Sequence, residues 1–241
     1  MKEKQLVHDT FTELAPRYEE VIDGELNTFW GWRYQDFIDR LVDQTEILEN
    51  QIILDIATGT SVIPRKITKK NIPGIHITGL DITESMLRQG KKEISKARIN
   101  TTISLTCADA MKLPFSDHSF DVVVSGLASH HMDIPVMLSE MKRVLKPGGL
   151  LSIIDVVTSP FWDLPIMRGM IRVMAFVYFI IKENPTRAWA EFVDITNLRT
   201  PEGWKAELET AGFRSLEINK LSSKYPWLPE PLAIQSIVQE E

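Results

Sequence analysis

Two adjacent histidines, His130 and His131, stand in the segment SGLASHHMD, directly after the nearly unbroken apolar run FDVVVSGL at 120–127. A neutral imidazole, with an ordinary pKa of about 6.5, can take a proton from an acidic hydroxyl at neutral pH. Either histidine serves equally well to orient its loop, and the pair is too isolated from other ligand types to suggest a metal. Asp81 closes IHITGLD at 75–81. An acid at such a strand end accepts both hydroxyls of a ribose, or it caps the following helix, a task for which Thr83 and Ser85 compete. Asp109 and Ala110 follow TISLTCA at 102–108, where the carboxylate is placed to accept from the exocyclic amine of an adenine. Taken alone, Asp109 is equally an ordinary loop acid. The segment LDIATGTSVIP, 54–64, passes from an apolar run through a Gly/Thr/Ser turn into helical spacing. Backbone N–H groups at such a helix start face a carboxylate or ribose hydroxyls. Ala57, Gly59 and Ser61 occupy the alternate positions that a stronger motif fills with glycine, so a tight turn without a ligand stays open.

These residues need strand ends to hold them. Short apolar runs at 51–57, 75–81, 102–108, 120–127 and 149–157 alternate with amphipathic stretches, the pattern of an α/β fold with a parallel sheet and crossover helices. A helix is expected over 62–70, and another over MLSEMKRVLKPGG that stops at Pro147-Gly148-Gly149. Thr200-Pro201 opens a further helix that closes at Gly212. The runs at 213–221 and 231–239 are joined by the proline-bearing segment Tyr225 to Pro231, which suits an antiparallel pair and completes seven strands. The leading helices, about 5–45, are expected to cap the carboxyl edge of the sheet.

The chain has 241 residues, 44% of them hydrophobic, enough for one substantial core. One domain is expected, divided into an N-terminal helical cap (1–46), a core (47–158), a helical insertion (159–198) and a C-terminal helix and strand pair (199–241). The formal net charge of -6 argues against nucleic acid as a partner. The lone cysteine, Cys107, excludes an intrachain disulfide and is read as small strand filler. The N-terminal stretch lacks the apolar run of a signal peptide, so a cytoplasmic location is expected. Within Phe161 to Ile181, Asp163, Pro165, Arg168 and Arg172 leave an uncharged run of about nine residues, against the roughly 20 that a membrane span needs.

Together, LAPRYEE (14–20), LDIATGT (54–60), GLDITESML (79–87), ADAMKLPFSDHSFDVV (108–123) and EMKRVLKPGGLL (140–151) resemble the class I S-adenosylmethionine-dependent methyltransferases. The resemblance is greatest to the ubiquinone/menaquinone C-methyltransferase group and its small-molecule relatives. It implies a Rossmann-like, seven-stranded, mostly parallel sheet with an antiparallel C-terminal strand. It also implies S-adenosylmethionine as cofactor and S-adenosylhomocysteine as product. Ala57, Gly59 and Thr60 would line the methionine part, Asp81 the ribose, Ile82 and Met86 the adenine faces, and Asp109 and Ala110 its edge. Gly126 and Leu127 would border the sulfonium, with Tyr18 closing over the methionine moiety. The departure is Ser61, where the family usually has glycine, and its side chain is expected to crowd the turn.

Methyl transfer to a small aromatic or lipid-like acceptor is the function this implies, with His130 or His131 as a base. The acceptor pocket is expected between the cap and the insertion, whose aromatic and Met residues, with Trp30 and Trp32, equally suit ordinary core or a homodimer contact. Arg168 and Arg172 would hold an acidic acceptor or face solvent. Two other readings stay open: a protein of the same fold that binds the cofactor for another purpose, such as a cyclase or a binder, and a nicotinamide-dependent reductase. Against the reductase stands the absence of G-x-G-x-x-G and of a Tyr-x-x-x-Lys pair after the fourth strand.

Overall fold

The computed structural model describes residues 2–97, 99, 102–159, 161–162, 164–225, 228 and 230–239. Asp163, and Pro226, Trp227 and Pro229 in the connection between the last two runs, lie outside the described residues. Among the described residues the sheet has seven strands: β1 (Ile52–Ile56), β2 (His76–Asp81), β3 (Ile103–Cys107), β4 (Phe120–Gly126), β5 (Leu145–Val157), β6 (Phe213–Lys220) and β7 (Glu230–Val238). They lie in the order β3-β2-β1-β4-β5-β7-β6. β1 to β5 pair in parallel, whereas β7 runs antiparallel to both β5 and β6. The strand order reverses between β1 and β4, and the carboxyl ends of these strands open the crevice in which such sheets hold ligands.

Helices cover both faces, as the doubly apolar central strands require. On one face lie α1 (Lys2–Leu14), α2 (Tyr18–Trp30), α3 (Tyr34–Gln44) and α4 (Val62–Thr68). Here Ile22, Phe37, Ile38 and Leu41 pack with Ile53, Ile77 and Val122 of the sheet. On the other face lie α6 (Ile134–Val144) and α9 (Pro201–Ala211), whose Met137, Leu138, Met141 and Trp204 pack on Leu54, Val123, Leu151 and Ile234. Successive residues such as Ile53 and Leu54 enter opposite cores because side chains alternate across a strand. α5 (Glu84–Lys96) links β2 to β3.

The ends follow local chemistry. Asp133 caps α6 by accepting from Val136 N, and Thr200 caps α9 by accepting from Gly203 N at 3.0 Å. Gly212 ends α9 at φ 87°, a left-handed turn that glycine adopts without a steric penalty. The helix before β5 stops at Val144, three residues earlier than the Pro-Gly-Gly signal suggests. Leu145 is already extended and pairs with Phe120, and the KPGG residues form an irregularity inside β5 before pairing resumes at Val122 and Leu150. Lys146 precedes Pro147, which disfavours helical backbone there. Cys107 ends β3 exposed, not as buried strand filler.

The insertion after β5 consists of α7 (Pro165–Lys182) and α8 (Pro185–Asp194). Asn184 caps α8 by accepting from Arg187 N at 2.9 Å. α7 turns Ile166, Val173, Val177 and Ile181 to solvent. Among the described residues, no helix is long and apolar enough to cross a membrane.

Candidate active site

The carboxyl ends of β1, β2 and β4 border a cavity of about 510 Å³. Ala57, Gly59, Asp81, Ile82 and Met86 line it, as do Asp109, Ala110, Gly126, Leu127 and Tyr18. Its floor is the turn after β1, where Ala57 (φ 56°), Gly59 (φ 52°) and Ser61 (φ 62°) all adopt left-handed backbone. The sequence keeps only one glycine of this turn, yet all three positions keep the backbone that favours glycine. A Cβ on Gly59 would approach Met86 Cε to 3.4 Å and Tyr18 Cε1 to 3.9 Å, filling the space between the turn and its cover.

Ser61 does not crowd the cavity. It is fully buried, and its hydroxyl lies where a Cβ on Gly90 of α5 would come within 2.5 Å of it. The missing glycine of the turn is therefore matched by a glycine in the facing helix. Gly90→Ala is expected to destabilise the protein by about 1–3 kcal/mol through overpacking, and Ser61→Gly should recover most of that loss. Urea unfolding of the two single variants and the double variant checks this; additive effects would refute the pairing.

Asp81 is both a cap and a cavity acid. Its Oδ1 accepts from Thr83 N at 2.8 Å and its Oδ2 from Gly59 N at 2.9 Å. Burial pushes the carboxyl above its usual range, and the Thr83 and Gly59 amides oppose that shift. Each oxygen retains a lone pair for a further donor. Asp109 likewise holds a turn, accepting from Met111 N at 2.9 Å, and it also lines the cavity. Thr60 lines neither this cavity nor the next: its hydroxyl donates to Glu19 Oε1 at 2.9 Å, which also receives Arg65 Nη2 at 2.5 Å. This ties α2 to the turn.

Asp55 went unnoticed in the sequence. It lies on β1 with no exposure, and neither carboxyl oxygen has a hydrogen-bond partner. Burial, reinforced by Asp81, pushes its pKa up to about 8, so the group is mostly protonated at neutral pH. An acid amid the apolar run IILDI was the available signal.

A second cavity of about 300 Å³ adjoins the first and shares Phe11, Tyr18, Leu127, His131 and Asp194 with it. Its remaining walls come mainly from α2, α7 and α8, including Trp30, Met174, Tyr178 and Phe179, and His130 and Val156 also line it. Arg168 lines neither cavity, and Arg172 Nε donates to Phe192 O at 2.8 Å while its guanidinium covers the Phe192 ring. Trp32 donates to Ser222 O and packs on Phe37.

The histidines form two acid-paired dyads with ring centroids 4.0 Å apart. His130 Nδ1 lies 3.0 Å from Asp155 Oδ1, and His131 Nδ1 lies 2.6 Å from Asp194 Oδ2. Asp155, at the end of β5, also accepts from the Ser129 amide and hydroxyl and from Val156 N. Burial opposes charge on His130, but facing Asp155 outweighs it and raises the pKa to about 9; Asp155 is correspondingly lowered. His130 is thus a mostly charged, fixed partner of Asp155. Because its folded pKa is raised from 6.5, the stability it contributes is complete below about pH 6.5 and is lost as pH rises through about 9. Wild type should exceed His130→Gln in unfolding free energy by more at about pH 6 than at about pH 10. An equal gap at both would refute the ion pair. His131 differs in place: it lines both cavities, with Phe11 edge-on at 5.1 Å.

The first cavity has the size and lining for an adenosyl group bearing an amino acid: it offers a buried acid, Asp81, a left-handed turn at Ala57 and Gly59, and the Met86 side chain beside that turn. Residues 54–153 match the methyltransferase domain family. Over 229 residues the chain is 29% identical to a demethylmenaquinone methyltransferase of Lactobacillus johnsonii, covering 90% of this chain and 88% of that one. It is 32% identical over 154 residues to the ubiquinone/menaquinone biosynthesis C-methyltransferase UbiE of Paracoccus denitrificans, covering 62% and 58% of the two chains. Among solved structures, the 4+2 cyclase SpnF superposes with a TM-score of 0.73 at 16% identity, covering 98% of this chain and 96% of that one. A SAM dependent methyltransferase from Aquifex aeolicus gives 0.62 at 16% identity, covering 92% and 98%. At such identity these two structures speak for the fold alone. The chain is a class I S-adenosylmethionine-dependent methyltransferase. The curated relatives it resembles, at 29–32% identity, are named demethylmenaquinone and UbiE methyltransferases.

Proposed function

We propose that the chain methylates a small, lipid-like aromatic acceptor of the quinone type, held in the second cavity, with His131 as general base. The single observation that carries this reading is the position of His131, in the wall common to the more polar cavity, suited to the cofactor, and the more apolar cavity, suited to the acceptor. Names of relatives that act on demethylmenaquinone support the acceptor class.

In the cofactor cavity we assign Asp81 to the ribose, Asp109 and Ala110 to the adenine edge, and Ile82 and Met86 to its faces. Ala57 and Gly59 take the methionine part, with Tyr18 above it, and Gly126 and Leu127 lie beside the reacting carbon. S-adenosylmethionine held there would supply an electrophilic methyl on a sulfonium, with the thioether as the leaving group. Asp194 accepts from His131 Nδ1–H and fixes the tautomer in which Nε2 is free to act as base. His131 Nε2 takes the hydroxyl proton of the acceptor, so electron density reaches the ring carbon under attack. Once the methyl is attached, the hydrogen on that carbon leaves to solvent as a proton and His131 returns its own to the oxygen, restoring the aromatic diol. Phe11, Tyr18 and Leu127 exclude water from the junction and hold the acceptor in line.

We read the chain as one domain, in which 47–158 holds the cofactor while 1–46 and 159–198 enclose the acceptor. The exposed apolar face of α7 supports a homodimer through the insertion, and the exposed thiol of Cys107 supports a reducing, cytoplasmic setting. The deciding experiment incubates the protein with S-adenosylmethionine and 1,4-dihydroxynaphthalene, kept reduced with dithionite. Stoichiometric S-adenosylhomocysteine and a ring-methylated product are expected; no methylated product at any acceptor concentration would overturn the reading.

A further inference from the structure

Within the largely apolar second cavity stands a cluster of charged groups that the reaction above does not use, Arg187 with Glu25 and Glu191. Arg187, Glu191 and Asp194 occupy positions i, i+4 and i+7 of α8, and all three line this cavity. That spacing puts them on one helix face, over a length of about 10.5 Å at 1.5 Å per residue. Asp194, at one end of the row, holds the base His131. Arg187, at the other, is 4% exposed.

The Arg187 guanidinium is only partly satisfied. Its Nη2 donates to Glu25 Oε2 at 3.2 Å, its Nε lies 2.8 Å from Glu191 Oε1 as an ion pair, and its Nη1 makes no hydrogen bond. A buried guanidinium N–H left without an acceptor is destabilising, because it has given up water and gained no partner. Glu25 comes from α2, across the cavity wall, and burial pushes its pKa up to about 7 against the pull of Arg187. At neutral pH Glu25 therefore spends much of its time as a carboxylate able to accept a proton donor. The cluster offers one free N–H donor beside one carboxylate acceptor, the complement of a hydroxyl, which accepts and donates at once.

We propose that Arg187 and Glu25, backed by Glu191, bind the second oxygen of the acceptor and so select an aromatic diol over an aromatic mono-ol. The inference rests on the reading that this cavity holds the acceptor. One hydroxyl is addressed by His131 and the other by the Arg187 cluster, so α8 carries both the reactive and the recognising end of the acceptor site. A quinone oxygen, which only accepts, satisfies Arg187 but brings Glu25 no donor beyond the one Arg187 already supplies; the reduced acceptor is therefore bound in preference to the oxidised one.

Titration calorimetry on the full chain loaded with S-adenosylhomocysteine tests this without relying on turnover. The probes are 1,4-dihydroxynaphthalene, kept reduced with dithionite, and 1-naphthol. Wild type should bind the diol at least ~10-fold more tightly, the equivalent of one charge-assisted hydrogen bond. In Arg187→Met and in Glu25→Met the ratio should fall to near one, with the Kd for S-adenosylhomocysteine unchanged. Should Arg187→Met fail to fold, Glu25→Met decides, since it leaves Arg187 its Glu191 partner. A ratio near one in wild type, no binding of either probe, or a ratio that survives in Glu25→Met each overturns the proposal. Diol preference without methyl transfer would refute the proposed reaction and leave this site standing; methyl transfer without diol preference would do the reverse.

Discussion

His131→Ala will lower kcat by about 10² to 10⁴-fold, the usual worth of a positioned general base, while the Kd for S-adenosylmethionine stays within roughly twofold. The imidazole stands where the two cavities meet, held at Nδ1 by Asp194 at 2.6 Å. Removing it takes away the proton acceptor without touching the turn after β1 or Asp81. The comparison with His130 makes the test selective. His130 is raised to about 9 by its pairing with Asp155, so at neutral pH it is mostly protonated and cannot accept. His130→Gln should therefore cost stability and far less of kcat. Single-turnover rates with saturating acceptor separate the two, and equal losses of kcat in both variants would sink the assignment of His131 as base.

Asp81→Ala will weaken S-adenosylmethionine binding by at least ~10²-fold, or about 2.7 kcal/mol. Hydrogen bonds to a charged group contribute about 1.5–3 kcal/mol each, and Asp81 is asked to make them to the ribose. Its loss also frees the Gly59 amide and the Thr83 amide, which its two oxygens now hold. The turn at Gly59 would then lose its anchor to β2, so the effect combines a missing contact with a loosened floor. Asp81→Asn, which keeps one acceptor oxygen, should fall between wild type and alanine. Calorimetry with S-adenosylhomocysteine reads both, and an unchanged Kd in Asp81→Ala would remove the ribose assignment.

Much of this architecture is legible in the chain because its strands are short, apolar and punctuated. The runs at 75–81 and 102–108 predict β2 and β3 to within one residue at each end. Pro201 and Gly212 bracket α9 because each has a local conformational reason to be there. The start of β5 was not legible: Leu145 has helical spacing, and only its pairing with Phe120 draws it into the sheet. The site divides in the same way. His130 and His131 announce themselves as a pair, but their partners Asp155 and Asp194 lie 25 and 63 residues further on, and nothing local marks those acids as theirs. The sequence offers Arg168 and Arg172 on α7 for the acceptor, yet the arginine that lines the second cavity is Arg187 on α8. Which face of each helix meets the cavity depends on how α7 and α8 pack together, and helical periodicity alone does not contain that. Arg187, Glu191 and Asp194 do recur at helical spacing after the Asn184-Pro185 start, a polar row that was present in the sequence and went unread.

The acid that positions His131 belongs to α8, not to the cofactor core. In the mechanism proposed above, the segment that encloses the acceptor also sets the tautomer of the base that acts on it. An insertion exchanged between relatives to change acceptor range would arrive with its own partner for that imidazole, or with none. Acceptor choice and proton transfer are inherited as one module, and a graft that respects only the shape of the cavity would yield a protein that binds its new acceptor and leaves it unmethylated.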